Sequence, residues 1–352
     1  MKSLGNFPDR FLAEIAGQPD AIRRALLAMS EQAPQLAAIR EAAAHADTVL
    51  FTGMGSSYDA CYAPVTVLAG SGVRVHMVDA AELLHFRLPT LGSSSLVIAV
   101  SQSGESAELV RMAEAMTSRG PRPLLVSVTN GLGSSLAAAA DIRLDTRAGE
   151  EEGPSTMTFA ATLVALRAIA ERLGGPPAGD GGGEQAAEAV ERLIDGAAER
   201  AEGLRQWLGS RPTLALLARG AARPAAEMGA LTLKEAARFP AESLQTAQFR
   251  HGPLELAGQE LAAIVMACEP ATRDHDLRLA GELAAAGSAV LVVGPGGDLP
   301  DGVTAVATGE IDRSLVSAAA IVPAQLLAWA LANARGLTPG TYTVAHKVTT
   351  HE

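Results

Sequence analysis

Short apolar runs alternate with Ala- and Leu-rich stretches through the first half of the chain. Five of these runs have the length and residue types of buried strands: 49–52, 73–78, 96–100, 124–128 and 142–144. The intervening stretches have helical patterns, the clearest of them at 107–116. Because strands that alternate with helices form crossover units, the pattern predicts a doubly wound parallel sheet.

The second half of the chain repeats this pattern in a diverged form. A glycine- and proline-rich segment at 174–183 predicts an exposed linker, and a helical stretch follows at about 184–208. Strand-like runs return at 213–218, 260–267, 289–293 and 303–307. We predict an α/β fold with two tandem doubly wound domains of flavodoxin-like three-layer αβα architecture. The predicted divisions are an N-terminal helical segment at 1–30, domains at 31–173 and 184–340 with the linker between them, and a C-terminal tail at 341–352.

Two hydroxyl-rich turns follow strands of the first predicted sheet. One contains Ser101, Gln102, Ser103 and Ser106, and the other contains Gly55, Ser56 and Ser57. Each lies between a strand and a helix, where backbone N–H groups and the helix dipole favour an anion. Either turn alone is also explained by serines that cap a helix, but a cap needs only one hydroxyl. Together the turns predict a site for a phosphorylated small molecule, with phosphate binding assigned to the first half.

Composition and charge restrict the possible partners and locations. The chain has 352 residues, 48% of them hydrophobic, and a net charge of -11. This balance argues against binding of nucleic acid, which needs a concentrated basic surface. The apolar runs look too short or too interrupted to span a bilayer, and the N-terminus lacks a signal peptide, so a cytoplasmic location is expected. Cys61 and Cys268 have no metal-ligand spacing and are interpreted as core residues; no metal or cofactor is expected.

Three further residues are candidates for chemistry, although each has an ordinary explanation. Glu235 lies in a helical pattern at 224–237, where a glutamate is usually solvated. His251 stands beside a Gly-Pro break, a position that suits an acid or base on a turn. Lys347 lies in a short polar tail that would ordinarily fray.

Many motifs in the same order give the chain a family resemblance. They are Gly55-Ser56-Ser57-Tyr58, the turn at 101–106, Gly133-Ser134-Ser135-Leu136, Arg147-Ala148-Gly149-Glu150-Glu151, Ser155-Thr156, the stretch at 229–235, Ala241-Glu242, Arg250-His251-Gly252-Pro253 and the stretch at 323–328. On these motifs the chain resembles the isomerase half of glucosamine-6-phosphate synthase. It also resembles the wider sugar-isomerase (SIS) superfamily, which includes aminosugar-phosphate deaminases and fructosamine-6-phosphate deglycases.

The resemblance implies roles for individual residues. The glutamate that matches Glu235 moves a proton between C1 and C2 of the open-chain sugar, and the histidine that matches His251 assists ring opening, in the synthase within the neighbouring subunit's site. The lysine that matches Lys347 can form a Schiff base with a ketose carbonyl. The serine-rich turns and the loop around Ser155 hold phosphate and sugar hydroxyls. A homodimer is therefore expected.

The chain departs from the synthase at two lysines and in its length. Thr232 and Met157 stand where the synthase has lysines, and the glutamine-hydrolysing domain is absent from this sequence. The leading hypothesis is an enzyme that isomerises and deaminates an aminosugar 6-phosphate such as glucosamine 6-phosphate, giving fructose 6-phosphate and ammonia. The alternatives are a fructosamine-6-phosphate deglycase and a non-catalytic sugar-phosphate sensor.

Overall fold

The chain folds into two compact units, each built on a five-stranded sheet. The computed structural model describes residues 7–120, 122–177, 179 and 181–351. Within that part, the first unit comprises 20–151, 157–183 and 343–351, and the second comprises 7–19, 152–156 and 184–342. Each unit therefore includes a short segment from the far end of the chain. The domain boundaries given above did not include this exchange and stay predictions.

The strands occur in chain order as follows: β1 (Thr48–Gly53), β2 (Val75–Met77), β3 (Ser95–Val100), β4 (Leu124–Thr129), β5 (Ile142–Asp145), β6 (Thr213–Ala218), β7 (Ala241–Gln245), β8 (Leu261–Met266), β9 (Ala289–Gly294) and β10 (Val303–Ala307). All neighbouring strands pair in parallel. The first sheet has the order β2-β1-β3-β4-β5, and the second has β7-β6-β8-β9-β10. Both orders are 2-1-3-4-5, that of flavodoxin-like folds, which confirms the predicted fold class.

The α-helices in chain order are α1 (Arg10–Ala16), α2 (Gln18–Glu31), α3 (Ala33–Ala44), α4 (Ser56–Ala60), α5 (Tyr62–Gly70), α6 (Ala80–Glu82), α7 (Ala107–Thr117), α8 (Ser135–Ala139), α9 (Met157–Arg172), α10 (Gly182–Ile194), α11 (Ala197–Leu208), α12 (Arg223–Ala237), α13 (Thr246–Phe249), α14 (Arg273–Ala285), α15 (Val316–Ala320) and α16 (Val322–Ala334). A π-helical turn covers Leu83–Arg87, and short 3₁₀ turns cover Leu88–Thr90, Gly220–Ala222, Pro253–Leu256 and Arg313–Leu315.

Helix α7 shows how helices cover the first sheet. Its buried residues include Leu109, Met112 and Met116, which share one face at helical spacing. They belong to the same apolar cluster as Val97 and Ala99 of β3. A central strand with all six residues buried needs cover on both faces, which explains why 96–100 reads as a continuous apolar run.

Several local predictions were wrong. The helical stretch at 184–208 is two helices, because Gly196 adopts a φ of 65° between them. The predicted linker ends early, since Gly182 and Gly183 are buried in the first turn of α10; Ala178 and Asp180 of that linker lie outside the described residues. Strand β7 was missed because its sequence, Ala-Glu-Ser-Leu-Gln, buries only Ala241. An edge strand of that kind lacks the apolar run expected of a buried strand.

The prediction about apolar runs also needs correction. The helical region Arg313–Ala334 is long and apolar enough to cross a membrane by length and composition. However, 94% of the apolar window within it is buried in the structure. That burial is typical of a core helix, and here it belongs to the second unit, where α16 packs against α11 and α12.

Candidate active site

Both serine-rich turns begin at the point where the first sheet changes direction. The helices that follow the two strands next to this point cover opposite faces of the sheet, so a crevice forms outside the carboxyl ends of those strands. Here the strands are β1 and β3, and their last residues, Gly53 and Val100, are register partners. The structure therefore brings the turn at 53–58 and the turn at 101–106 together.

The turn at 101–106 is folded by its own hydroxyl groups. The Oγ of Ser101, which is 2% exposed, accepts a hydrogen bond from the Gly104 backbone N–H at 3.0 Å and lies 3.4 Å from the Oγ of Ser106. The Oγ of Ser103 accepts from the Glu105 N–H at 3.1 Å. Ser106 is the N-cap residue of α7, yet its side chain makes no capping hydrogen bond. Helix capping by side chains therefore does not account for the serines in this turn.

Neighbouring loops hold the same turn rigidly in place. Gly104 has a φ of +67°, and a Cβ on it would lie 2.0 Å from the Oγ of Ser134. The Gly104 carbonyl accepts from the Leu136 N–H, and the Gln102 carbonyl accepts from the Asn130 N–H, both at 3.0 Å. These contacts fix the backbone of the turn at the start of α7, a position that favours an anion. The Gly104 and Glu105 N–H groups already donate to serine hydroxyls, so an anion bound to them would replace those hydrogen bonds.

Glu105, the acidic residue of this turn, is engaged by the following loop. One oxygen of its carboxylate accepts from the Ser135 N–H at 2.7 Å. The carboxylate is thus held by the start of α8, where a negative charge is favourable.

The turn at 53–58 also depends on glycine. A Cβ on Gly53 would lie 2.9 Å from the Tyr58 backbone nitrogen and 3.0 Å from the Val100 carbonyl oxygen. Gly55 adopts a φ of 51° before α4. Ser57 is buried, and Ser56 is half-buried. The close approach of this turn to the end of β3 therefore requires glycine at position 53.

The C-terminal tail packs beside the serine-rich turn instead of fraying. The Thr349 carbonyl accepts from the Ala107 N–H, in the first turn of α7, at 3.1 Å. The Nζ of Lys347 lies 2.9 Å from Oε2 of Glu151, with side-chain exposures of 20% and 0%. The same carboxylate accepts from the Thr158 N–H at 3.2 Å and from its hydroxyl. Lys347 is therefore not a surface charge, and an attack by its amine would require this ion pair to open.

The remaining candidates belong to the second unit. Glu235 lies half-buried in α12 and has an interaction partner. His251 is exposed on the turn after α13, where its N–H donates to the Gln248 carbonyl at 3.0 Å and Gly252 has a φ of 121°. Ser155 is half-buried in the segment at 152–156. The structure groups the serine-rich turns with Lys347 in the first unit, and Glu235 with His251 and Ser155 in the second.

The second sheet carries its own carboxylate at the equivalent change of direction. Glu269, which follows β8, accepts from the Ala221 N–H at 2.6 Å and pairs with Arg313 at 2.8 Å. A Cβ on Gly220 would lie 2.3 Å from this carboxylate. Glu269 was not predicted from the sequence, because a contact between residues 48 positions apart leaves no local motif. The Glu269 carboxylate thus occupies the position at the second sheet where the first sheet has its serine-rich turns. A bound phosphate is not expected next to this carboxylate, in agreement with the lack of a serine-rich turn in the second half.

Neither cysteine has the environment of a reactive thiol. Cys61 is buried, and burial raises the pKa of its thiol. Desolvation raises the pKa of the half-buried Cys268 thiol to about 12. Thiols with raised pKa values carry little thiolate at neutral pH, in agreement with their interpretation as packing residues.

The comparisons with known proteins agree with this geometry. Residues 43–172 match the family model of the SIS domain, a span that includes both serine-rich turns and all of the first sheet. This part of the chain is a SIS domain. The SIS domain thus contains the candidate phosphate site and the whole 2-1-3-4-5 sheet on which it is built.

Similar proteins extend the match beyond the SIS domain. A glutamine–fructose-6-phosphate aminotransferase from Pyrobaculum aerophilum is 30% identical over 350 residues, which covers 96% of this chain. The chain spans 57% of the length of that relative.

Solved structures show the same fold over most of the chain. The C-terminal domain of glucosamine-fructose-6-phosphate aminotransferase from Francisella tularensis has a TM-score of 0.79 at 22% identity and covers 95% of this chain and 98% of its own. A glucosamine-6-phosphate deaminase from Thermotoga maritima has a TM-score of 0.72 at 23% identity and covers 92% and 99%. These likenesses show that the chain shares the fold of the two proteins over most of its length.

Proposed function

We propose that this protein is an aminosugar-phosphate isomerase that also deaminates, converting glucosamine 6-phosphate and water to fructose 6-phosphate and ammonia. The observation that carries the proposal is the turn at 101–106, which places several serine hydroxyls at the start of α7, at the change of direction of the sheet, without using the Ser106 side chain as a cap. The phosphate group would bind there. A net charge of -11 does not oppose this, because N–H groups and the dipole of α7 act locally.

The chemistry needs one carboxylate and one group that assists ring opening. In the proposed reaction His251 assists ring opening, and Glu235 removes the proton from C2 of the open-chain aldehyde and returns it to C1. The product is an imine at C2, which water hydrolyses to the ketose and ammonia. Shuttling by a positioned carboxylate typically contributes about 10²–10⁴-fold to the rate.

Lys347 has two possible roles in this scheme. In the ion pair with Glu151 its ammonium group can orient the tail beside the bound sugar. If the pair opens when substrate binds, the neutral amine can attack the carbonyl and form an iminium, which accepts electrons during proton transfer. A Schiff base trapped with borohydride at Lys347, identified by mass spectrometry, would support the second role.

The family resemblance leads us to propose a homodimer in the cytoplasm, with His251 completing the neighbouring subunit's site. A closed two-fold dimer contains two such shared sites. Analytical ultracentrifugation of the full chain measures the assembly directly. A chain that is monomeric at the concentrations where it is fully active would contradict a shared site.

A turnover screen separates the proposed reaction from the alternatives. The protein is incubated with glucosamine 6-phosphate and, separately, with a fructoselysine 6-phosphate, and ammonia, fructose 6-phosphate and released lysine are measured. We expect ammonia and fructose 6-phosphate in equal amounts from the first substrate only. Lysine released from the second substrate alone would identify a deglycase, and saturable binding without turnover of either would identify a sensor.

A further inference from the structure

A polar cavity of about 380 Å³ lies at the carboxyl edge of the second sheet. The segments that line it follow three neighbouring strands, since Arg219 follows β6, α13 follows β7 and α14 follows β8. Ligands of open α/β sheets bind at this edge. The volume is in the range of small-molecule sites, about 300–1,000 Å³. The lining residues are Arg219, Ala247, Arg250, His275, Arg278 and Glu282.

Cationic side chains dominate this lining. Three arginines and one glutamate carry its charge, and His275 adds an imidazole. The excess is positive in a chain whose net charge is -11. A cleft with an excess of one sign of charge concentrates ligands of the opposite sign. The lining therefore favours an anion.

Two of the arginines are held in place by carboxylates. Nε of Arg219 lies 2.7 Å from Oδ1 of Asp276, with side-chain exposures of 16% and 0%. Nη1 of Arg250 lies 2.7 Å from Oε2 of Glu282. Because the hydrogen bond to Asp276 uses Nε, the two η nitrogens of Arg219 are left for a ligand. A guanidinium group held in this way can donate to two oxygens of one phosphate.

The third arginine, Arg278, has no counter-ion of its own. It is exposed on α14 and makes no hydrogen bond or ion pair with any residue that the structure describes. A phosphate can thus bind its guanidinium group without breaking an existing ion pair. The carboxylate of Glu269, which follows β8, is not part of the lining and pairs with Arg313 instead.

We infer that this cavity binds a small phosphorylated polyol, with the phosphate held by Arg219 and Arg278 and hydroxyl groups bound by Glu282. Ala247 is the one apolar residue of the lining, so the body of the ligand must be polar as well. The serine-rich turns belong to the first unit, whereas this cavity belongs to the second. The inference therefore does not rest on the proposed function.

The test counts bound ligand by equilibrium dialysis with radiolabelled glucitol 6-phosphate. This compound has a phosphate and several hydroxyl groups but no carbonyl group, so the proposed isomerisation cannot consume it. We expect two equivalents per wild-type chain, one at the serine-rich turn and one in this cavity. Ser106→Glu places a negative charge at the turn and should remove only the first.

Substitutions in the second unit then locate the other equivalent. Arg278→Ala removes a guanidinium group that pairs with no described carboxylate, and should weaken this site about tenfold or more, the value of one charge-assisted hydrogen bond. Ala247→Glu places a carboxylate in the cavity and should abolish binding there. Arg205→Ala, in α11 of the same unit but outside the lining, should change neither equivalent. Circular dichroism shows whether the variants are folded.

Hexyl phosphate tests the class of ligand, because it has the same charged group but no hydroxyl groups. We expect it to bind in the cavity about fivefold or more weakly than glucitol 6-phosphate. Equal affinities would contradict a site for a polyol.

The inference would be overturned by binding that is the same in wild type, Arg278→Ala and Ala247→Glu, or by no saturable binding at all. A single equivalent that is lost in Arg278→Ala and retained in Ser106→Glu would support this cavity. The same result would contradict the phosphate site of the proposed function, so the two can fail separately.

Discussion

Gly104 brings the serine-rich turn so close to the next loop that no methyl group fits between them. Its φ of +67° is unfavourable for any residue with a Cβ, and that Cβ would meet Ser134 at 2.0 Å. The Gly104→Ala variant should therefore lose about 2 kcal/mol or more of unfolding free energy and bind sugar phosphate more weakly. Urea denaturation and phosphate-ligand titration measure the two effects.

Gly72→Ala is the matched control for this substitution. Gly72 has a φ of +81°, but a Cβ there has nothing within 4 Å. Only the cost of the backbone conformation, about 1 kcal/mol, should remain, with unchanged ligand affinity. Equal losses of stability and affinity in the two variants would show that close packing of the turn against Ser134 is unimportant.

The ion pair between Lys347 and Glu151 gives a second prediction. Glu151→Gln keeps the shape of the side chain but removes the negative charge that pairs with the Lys347 ammonium. We expect faster proteolysis of the tail and a loss of about 2 kcal/mol, less than for a fully buried pair because Lys347 is partly exposed. Limited proteolysis with mass spectrometry and urea denaturation measure both.

The exposed pair of Glu202 and Arg205 is the control for that prediction. Glu202→Gln, on a surface helix, should have no measurable effect on stability or on the tail. If Glu151→Gln behaves like Glu202→Gln, the tail is not held by its ion pair.

At the scale of elements, α12 carries Glu235 and depends on a small residue for its position. A Cβ on Gly229 would lie 2.7 Å from Leu216 of β6 and 3.0 Å from Ala324 of α16. Gly229→Ala should thus lower stability by about 1–2 kcal/mol despite the better helix propensity of alanine, and should reduce kcat because the helix shifts. Thermal denaturation and steady-state kinetics test this.

Gly203→Ala provides the opposite expectation in a helix of the same unit. In α11 a Cβ at position 203 has nothing within 4 Å, so only helix propensity changes. We expect a gain of about 0.5–1 kcal/mol with unchanged kcat. If both glycine variants are stabilised, α12 has more space than the structure gives it.

The apolar pattern was sufficient to predict most elements of both sheets. The run Thr213–Ala218 is a strand with the predicted limits, because a buried parallel strand needs consecutive apolar residues. The run Val303–Ala307 is also a strand with the predicted limits, although it lies at the edge of its sheet and none of its residues is buried. Strand β7 and the break at Gly196 were not predictable in this way. The first is fixed by pairing with β6, and the second by a single backbone angle.

The candidate site was predictable only in its local part. The turn at 101–106 is a contiguous motif, so its position after β3 follows from the sequence. The contact of Lys347 with Glu151 joins residues 196 positions apart. The position of the Glu269 carboxylate likewise depends on distant residues, Ala221 and Arg313. Such pairings depend on the completed fold. Thr232, which stands where the synthase has a lysine, is fully buried, and its burial depends on the packing of α12 in the completed fold.

At the scale of the whole molecule, a shared site predicts complementation between two inactive variants. Glu235→Gln and His251→Ala should each be nearly inactive alone. In mixed dimers one site combines the intact Glu235 of one subunit with the intact His251 of the other, so roughly a quarter of wild-type activity should return. Activity is measured after the mixed proteins are allowed to exchange subunits. No recovery, in a mixture shown by mass spectrometry to contain mixed dimers, would place both residues in one subunit's site.

The most direct measurement follows the proton that Glu235 is proposed to move. Glucosamine 6-phosphate is incubated with the enzyme in D₂O, and NMR measures deuterium at C1 of the fructose 6-phosphate formed. The rate compared is that of hydrogen transfer to C1, whether the hydrogen comes from C2 or, as deuterium, from the solvent. We predict the same rate for wild type and for a Glu199→Gln surface control, and a rate lower by about 100-fold or more for Glu235→Gln. An equal rate of hydrogen transfer in Glu235→Gln would contradict the account.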